Sequence, residues 1–296
     1  MSETILTSHL VTTKDGRVLN VGEGGHLRGK PVFVLHGTPG STMLFDPYVR
    51  DASKRGIKLV SYDRPGYGGS SRHLGRRVAD AAKDVETIAD FLGLERFAVW
   101  GISGGGPHAL GCGALLPKRV VAVASLASPA PYPSQGLDWL SSQGEDNVAE
   151  FRASMAGPVA LGKFLEPQWA MFLKATPEEV AKSLESVISP VDRGALLGML
   201  RPFLVANMQE GLRPGFHGWE DDDLAFVSAW GFRPSEISVP VLLWQGRHDR
   251  MVPFAHGQWL AKHIKGVDAR LSPDDGHLTL LERRVPEAHA WLLKHF

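Results

Sequence analysis

The stretch Phe97-Ala-Val-Trp-Gly-Ile-Ser-Gly-Gly-Gly-Pro-His-Ala-Leu110 decides how this chain is read. Its apolar opening, Phe97–Trp100, is a short strand of the kind buried on both faces. Gly101-Ile102-Ser103-Gly104-Gly105 then fits the pattern G-x-S-x-G, and a helical pattern follows over Gly104–Leu116. A serine on so tight a turn between strand and helix is held in a strained conformation, above the sheet and at the helix N-terminus. Small neighbours are needed for the backbone to pass. The context makes Ser103 a candidate nucleophile and the Gly104 N–H a candidate donor to an oxyanion. A rival reading uses the same glycines: Gly104-x-Gly106-x-x-Ala109 fits a dinucleotide-binding turn. That reading requires an acidic residue about 20 positions on, at the end of the next strand. Ala122–Ser128 offers Ser125 and Ser128 but no Asp or Glu, so nucleotide binding is not expected.

Working outward, strand-like runs appear at Ile5–Thr13, Arg17–Gly22, Pro31–Leu35, Ile57–Tyr62, Arg96–Gly101 and Val120–Ala127. Helical patterns lie between them at Ser41–Arg55, Arg77–Leu92 and Gly104–Leu116. Lys14-Asp15-Gly16 is a hairpin turn between the first two strands. Alternating buried strands and helices predict an α/β fold with a mostly parallel sheet flanked by helices. At Ser128-Pro-Ala-Pro-Tyr-Pro133 the rhythm breaks. Helical segments follow at Asp146–Met155, Val159–Lys174, Pro177–Ile188, Pro190–Gln209 and Asp221–Trp230, with Pro177 and Pro190 placed as first-turn prolines. The α/β rhythm resumes with a strand at Val239–Trp244, a helix at Pro253–Ile264, a strand at Val267–Leu271 and a last helix at Val285–Phe296. The expected organisation is a core of residues 1–129 and 235–296, with a helical cap of residues 130–234 inserted before the last strands.

Three further loops carry polar groups at strand ends, where open α/β sheets place functional residues. His36-Gly-Thr-Pro-Gly40 follows Val32–Leu35. Thr38 is its best candidate for a second oxyanion donor, because Pro39 has no N–H. His36 is read as a brace for that loop. Asp249 lies in Gln245-Gly-Arg-His-Asp249, just past Val241–Trp244. His277 lies in Asp274-Asp-Gly-His277, a loop beyond the next short strand. The chain order Ser103, Asp249, His277 is that of a nucleophile–acid–base triad built on an α/β sheet. Cys112, the single cysteine, reads as a core residue. Asp221-Asp-Asp223 reads as a helix cap with dipole-favourable charge. His256 and His263 read as surface residues, and no histidine spacing suggests a metal.

Composition narrows the class. The 296 residues are 43% hydrophobic and 22% charged, with Lys+Arg and Asp+Glu balanced at 32 each. That balance gives no reason to expect nucleic acid or an anionic membrane as a partner. The sequence begins without a basic segment leading into an apolar one, and no run reaches the roughly 18 apolar residues of a membrane helix. A soluble, cytoplasmic protein acting on a small molecule without a cofactor is expected. Nothing in the sequence sets an oligomeric state.

With these motifs in view, the chain resembles the α/β-hydrolase superfamily, most closely its bacterial esterase-like and proline-iminopeptidase-like members. His36–Gly40 is similar to the HG-x-P-G oxyanion loop, and Asp63-Arg-Pro-Gly-Tyr-Gly-Gly-Ser70 to the D-x-x-G-x-G-x-S stretch after the fourth strand. Gly101–Gly105 resembles the nucleophile elbow, and Gly246-x-x-Asp249 and Gly276-His277 the acid and base loops. The resemblance departs from iminopeptidases at Thr38, where they carry Gly, and at Gly104, where they carry a bulky aromatic. Ser103 departs from the carboxylate nucleophile of haloalkane dehalogenases and epoxide hydrolases. It implies an acyl-enzyme mechanism with Ser103 as nucleophile, His277 as base, Asp249 as its orienting acid, and the Thr38 and Gly104 N–H groups as oxyanion donors. In the cap, Phe164, Trp169, Phe172, Leu173, Met199, Phe203 and Met208 are expected mostly to hold the cap to the core, with some lining an acyl pocket. No acidic cluster is evident that would await a substrate amine, so an ester or lactone is favoured over an amino-terminal peptide. Aminopeptidase activity, C–C bond hydrolysis and cofactor-free perhydrolysis use the same triad, and a slow ligand receptor keeps the same fold; these stay open.

Overall fold

A computed structural model describes residues 7–296. In chain order the regular elements begin with β1 (Thr7–Thr12), β2 (Val18–Gly25), β3 (Lys30–Leu35), α1 (Asp46–Lys54), β4 (Ile57–Tyr62), α2 (Ala81–Phe91), β5 (Phe97–Ile102), α3 (Gly105–Leu115) and β6 (Val120–Leu126). The helices α4 (Glu145–Met155), α5 (Pro158–Phe172), α6 (Pro177–Ser183), α7 (Leu200–Leu212) and α8 (His217–Phe226) follow. Then come β7 (Val241–Gly246), α9 (Phe254–His263), β8 (Asp268–Ser272) and α10 (His277–Leu292). The first two residues of the expected Ile5–Thr13 strand lie outside the described residues.

The strands form one sheet in the order β1-β2-β4-β3-β5-β6-β7-β8. Only β2 runs against its neighbours; every pairing from β4 through β8 is parallel. Alternate residues along each strand feed two separate cores, as the period of two demands. Phe33, Phe97, Val99 and Leu243 pack under α2, α3 and α9. Val32, Trp100, Leu242 and Trp244 pack under α1 and α10. A third apolar cluster belongs almost wholly to the segment between β6 and β7 and includes Leu161, Leu165, Phe172, Val205 and Trp219. That segment therefore carries its own core and lies over the carboxyl ends of the strands. Among the described residues no helix is long and apolar enough to cross a membrane.

Three expectations need correction. The first-turn proline holds at Pro177, where Thr176 Oγ1 accepts from the Glu179 N–H and the Glu179 carboxylate accepts from the Thr176 N–H. It fails at Pro190. Residues 190–199 form turns and a short 3-10 helix, because Gly194 and Gly198 weaken a helix and Asp192 turns inward to bond elsewhere. The Asp221–Asp223 run does not cap a helix, because α8 starts at His217 and places all three acids inside it. Likewise the last helix starts at His277 and not at Val285, so His277 is its first residue and not part of a free loop.

Candidate active site

Ser103 joins β5 to α3 with φ at 54°, in the left-handed region that disfavours a side chain. The turn is locked by the Ser103 N–H bonding Leu126 O at 2.9 Å and the Gly106 N–H bonding Ser103 O at 2.8 Å. A Cβ at Gly101 would lie 2.2 Å from Gly105 O, and one at Gly104 would lie 2.2 Å from Thr38 Oγ1. Both glycines are therefore required by close approach. The Thr38 and Gly104 N–H groups make no hydrogen bond among the described residues, and both residues line the cavity onto which Ser103 opens. Two unspent donors beside the serine suit a developing negative oxygen.

His277 and Asp249 meet as the sequence predicts. His277 Nδ1 lies 2.8 Å from Asp249 Oδ2, with both groups buried. Asp249 is fixed by the N–H groups of Met251 and Val252 on Oδ1 and by Gln245 Nε2 on Oδ2, the oxygen that also faces His277. With Nδ1–H donating to the carboxylate, Nε2 is the ring nitrogen left to accept a proton. Burial pulls the His277 pKa down, but the Asp249 carboxylate, helped by Asp192, outweighs it and leaves the value above the ordinary 6.5. His277 lines the same cavity as Ser103. Ser103 Oγ makes no hydrogen bond among the described residues; such contacts commonly tighten only when substrate arrives.

Two acids from the β6–β7 segment hold these loops in place, and neither was singled out from the sequence for that role. Asp192 is fully buried and accepts from the N–H groups of His277, Leu278 and Thr279 at 3.0, 2.8 and 2.9 Å. It caps α10 from 85 residues away, supplying the acceptor that a helix N-terminus requires. Asp222 is fully buried on α8 and accepts from Thr38 Oγ1 at 2.6 Å, Arg64 Nη2 at 2.6 Å, Arg76 Nη1 at 2.7 Å and Tyr67 Oη at 2.9 Å. His108 on α3 lies 3.1 Å away. Burial alone would raise the Asp222 pKa, but Arg64 and Arg76 drive it well below the usual carboxylate range. Arg64 also donates to the backbone oxygens of His36 and Gly37. His36 braces the loop as expected, with Nδ1 on Gly37 O and Nε2 accepting from the Arg64 N–H. Burial, reinforced by Arg64, keeps its pKa well below 6.5, so the ring is neutral.

The cavity has a volume of about 500 Å³, within the range of small-molecule sites. Of the segment's apolar residues, Phe172, Phe203 and Met208 line it, while Phe164, Trp169 and Leu173 pack into the segment's own core and Met199 is exposed. His256 is not a surface residue: it is 1% exposed, with Nδ1 accepting from the Ala130 N–H and Nε2 facing Trp139 O. Its ring packs edge-on against Trp139, and burial lowers its pKa to about 4. His263 is exposed. The expected lack of an acidic cluster is also corrected. Glu150 and Asp223, 73 positions apart in the chain, line the cavity together. Among the described residues no group of three or more His, Cys, Asp or Glu is placed to hold a metal ion.

Comparison with known proteins places this site in context. A family model described as alpha/beta hydrolase fold matches residues 30–284. The chain is 27% identical to a pimeloyl-[acyl-carrier protein] methyl ester esterase of Nitrosomonas europaea, over 86% of this chain and 90% of that one. It is 28% identical to a bifunctional esterase/perhydrolase of Acinetobacter calcoaceticus, over 82% and 83% of the two chains. The crystal structure of a bromoperoxidase from Bacillus anthracis superposes with a TM-score of 0.75 at 20% identity, covering 97% of this chain and all of the other; that likeness concerns the fold alone.

Two substitutions test the scaffold. Asp222→Ala is expected to destabilise the protein by about 3–5 kcal/mol, because it strips a shared acceptor from two buried guanidinium groups; chemical denaturation reads it. Asp192→Ala is expected to lower stability by about 1–2 kcal/mol, the scale of a lost helix cap. It is also expected to lower the His277 pKa, as read by NMR titration of the ring, since a carboxylate that raises it is gone.

Proposed function

Because the chain belongs to the α/β-hydrolase fold family, whose members act on small molecules, we propose that it is a serine hydrolase cleaving a carboxylic ester or lactone through an acyl-enzyme. The observation that carries this reading is the His277 Nδ1–Asp249 Oδ2 pair at 2.8 Å, buried against the cavity onto which the strained Ser103 opens. In the proposed reaction His277 Nε2 takes the Ser103 proton as Oγ attacks the carbonyl carbon. Asp249 holds the ring in the required tautomer and stabilises its protonated form. The N–H groups of Thr38 and Gly104 receive the oxyanion, a contribution of roughly 3–4 kcal/mol per donor in comparable sites. The protonated His277 then gives its proton to the leaving alkoxide, and water activated by the same ring releases the acid. Similarity to an ester-cleaving relative supports an ester as the bond attacked. Residues 130–234 serve in this reading as a cap over a core of residues 1–129 and 235–296, and the apolar lining contributed by Phe172, Phe203 and Met208 receives the acyl or alcohol chain.

A fluorophosphonate probe is expected to label Ser103, as located by mass spectrometry, with p-nitrophenyl ester turnover in parallel. Ser103→Ala is expected to lower turnover by on the order of 10⁶, and a loss below tenfold would refute the assignment. The base acts only when neutral. Its pKa lies above the ordinary 6.5, so kcat/KM is expected to rise with pH through an apparent pKa above that value. In Asp249→Asn the limb should move to lower pH, because the carboxylate that favours protonated His277 has been removed.

A further inference from the structure

The pair Glu150 and Asp223 is used neither by the proposed reaction nor by the scaffold of the site. Glu150 lies on α4 and Asp223 on α8, two helices that pack together, and both residues line the cavity that holds Ser103 and His277. Glu150 is only partly buried and opens onto the cavity. Trp219, one turn before Asp223 on α8, donates its indole N–H to Glu150 Oε1 at 2.6 Å and so fixes the carboxyl. Asp223 is 1% exposed, and neither of its carboxyl oxygens accepts a hydrogen bond from a described N–H or O–H. Its neighbour Asp222 collects Arg64, Arg76, Tyr67 and Thr38, whereas Asp223 is left facing another acid. A buried carboxylate without a donor is unfavourable by several kcal/mol, so these two groups require either a proton or a cation between them.

We propose that Glu150 and Asp223 form a subsite for the ammonium group of an amine-bearing ester substrate. The assignment of an ester rests on the acyl-transfer reading above; the assignment of an ammonium rests on the pair itself. The charges decide between candidate ligands. Arg64 and Arg76 contribute two positive charges and ionised Asp222 one negative charge, while His36 and His108 are held neutral by burial. One proton shared by the pair then leaves this buried group of charges balanced. Exchanging that proton for one ammonium keeps it balanced and supplies up to three donors. A hydroxyl brings one donor and no charge, and a carboxylate brings a third negative charge. The groups facing the pair are consistent with retention of the proton in the free protein: burial raises both acids, Asp146 adds to this at Glu150 while hydrogen bonds to Asp223 and Trp219 oppose it, and Glu150 and Asp222 add to it at Asp223 while Arg76 opposes it. The other titratable groups lining the cavity are engaged elsewhere: His36 by Gly37 O and the Arg64 N–H, Tyr48 by Leu281 O, Arg201 by Glu178, His256 by Trp139 O and His277 by Asp249.

Calorimetry with 4-phenylbutylamine and its isostere 4-phenyl-1-butanol tests this on the full-length protein. The amine is expected to bind at least tenfold more tightly than the alcohol at pH 7. It should release protons, as read from the difference between phosphate and Tris buffers. Glu150→Gln and Asp223→Asn should each bring the two affinities to within about twofold. Equal affinities in the unsubstituted protein, or a preference for the amine that survives both substitutions, would overturn the proposal. The comparison within the unsubstituted protein keeps it decisive if a variant fails to fold. In a kinetic arm, benzyl 3-aminopropanoate should be preferred over benzyl butanoate by kcat/KM. Failure of Ser103 to react, with amine binding intact, would refute the acyl-transfer reading and leave the subsite standing.

Discussion

Everything at the mouth of this site depends on one buried carboxylate. Asp222 is the meeting point of four pieces of chain: the loop after β3 through Thr38, the loop after β4 through Arg64 and Tyr67, the segment before α2 through Arg76, and α3 through His108. Burying an acid is unfavourable unless it is paired and hydrogen-bonded. Asp222 meets both conditions only when α8 is seated on the sheet. The same seating brings Phe226 against Gly104. Arg64 extends the constraint, because its guanidinium also holds the carbonyls of His36 and Gly37 and leaves the Thr38 N–H unspent. The segment between β6 and β7 thus does more than cover the sheet: it completes the bonding of the loop beneath it.

Asp192 does the same for the opposite wall. A helix that begins at a histidine presents bare N–H groups and a positive dipole end to that histidine, which disfavours its protonated form. Asp192 satisfies those N–H groups and adds a negative charge, so that with Asp249 it keeps His277 readily protonated despite burial. Both acids come from the same segment and reach opposite sides of one cavity. Three consecutive aspartates also part company on α8. Asp221 pairs with Arg72 near the surface, Asp222 anchors the buried network, and Asp223 turns to the cavity wall beside Glu150.

The strands were legible because their residues are locally consistent. Ile57–Tyr62 and Val120–Leu126 are apolar runs bounded by turn formers, and such runs have little choice once a parallel sheet forms. The elbow was legible because steric demand writes itself into sequence: only glycine fits at positions 101 and 104. Asp249 and His277 were legible from chain order and from their places at strand ends. Boundaries that depended on distant partners were misplaced. The start of α10 at His277 rests on Asp192, and the start of α8 at His217 left the acidic run with no helix end to cap. His256 was misassigned because its partners, Ala130 and Trp139, lie 126 and 117 positions away.

The sequence by itself determined the α/β layering, the strained serine turn and which residues are available for acid–base chemistry, because each follows from short-range sterics, from hydrophobic period or from motif spacing. Only the tertiary structure decided what the acids do. Aspartate has the same local preferences whether it caps a helix, pairs with arginine or waits in a cavity. Its role is set by which donors long-range packing brings within about 3 Å. Asp192, Asp222 and Asp223 differ in their partners alone, and those partners come from parts of the chain that no local pattern connects.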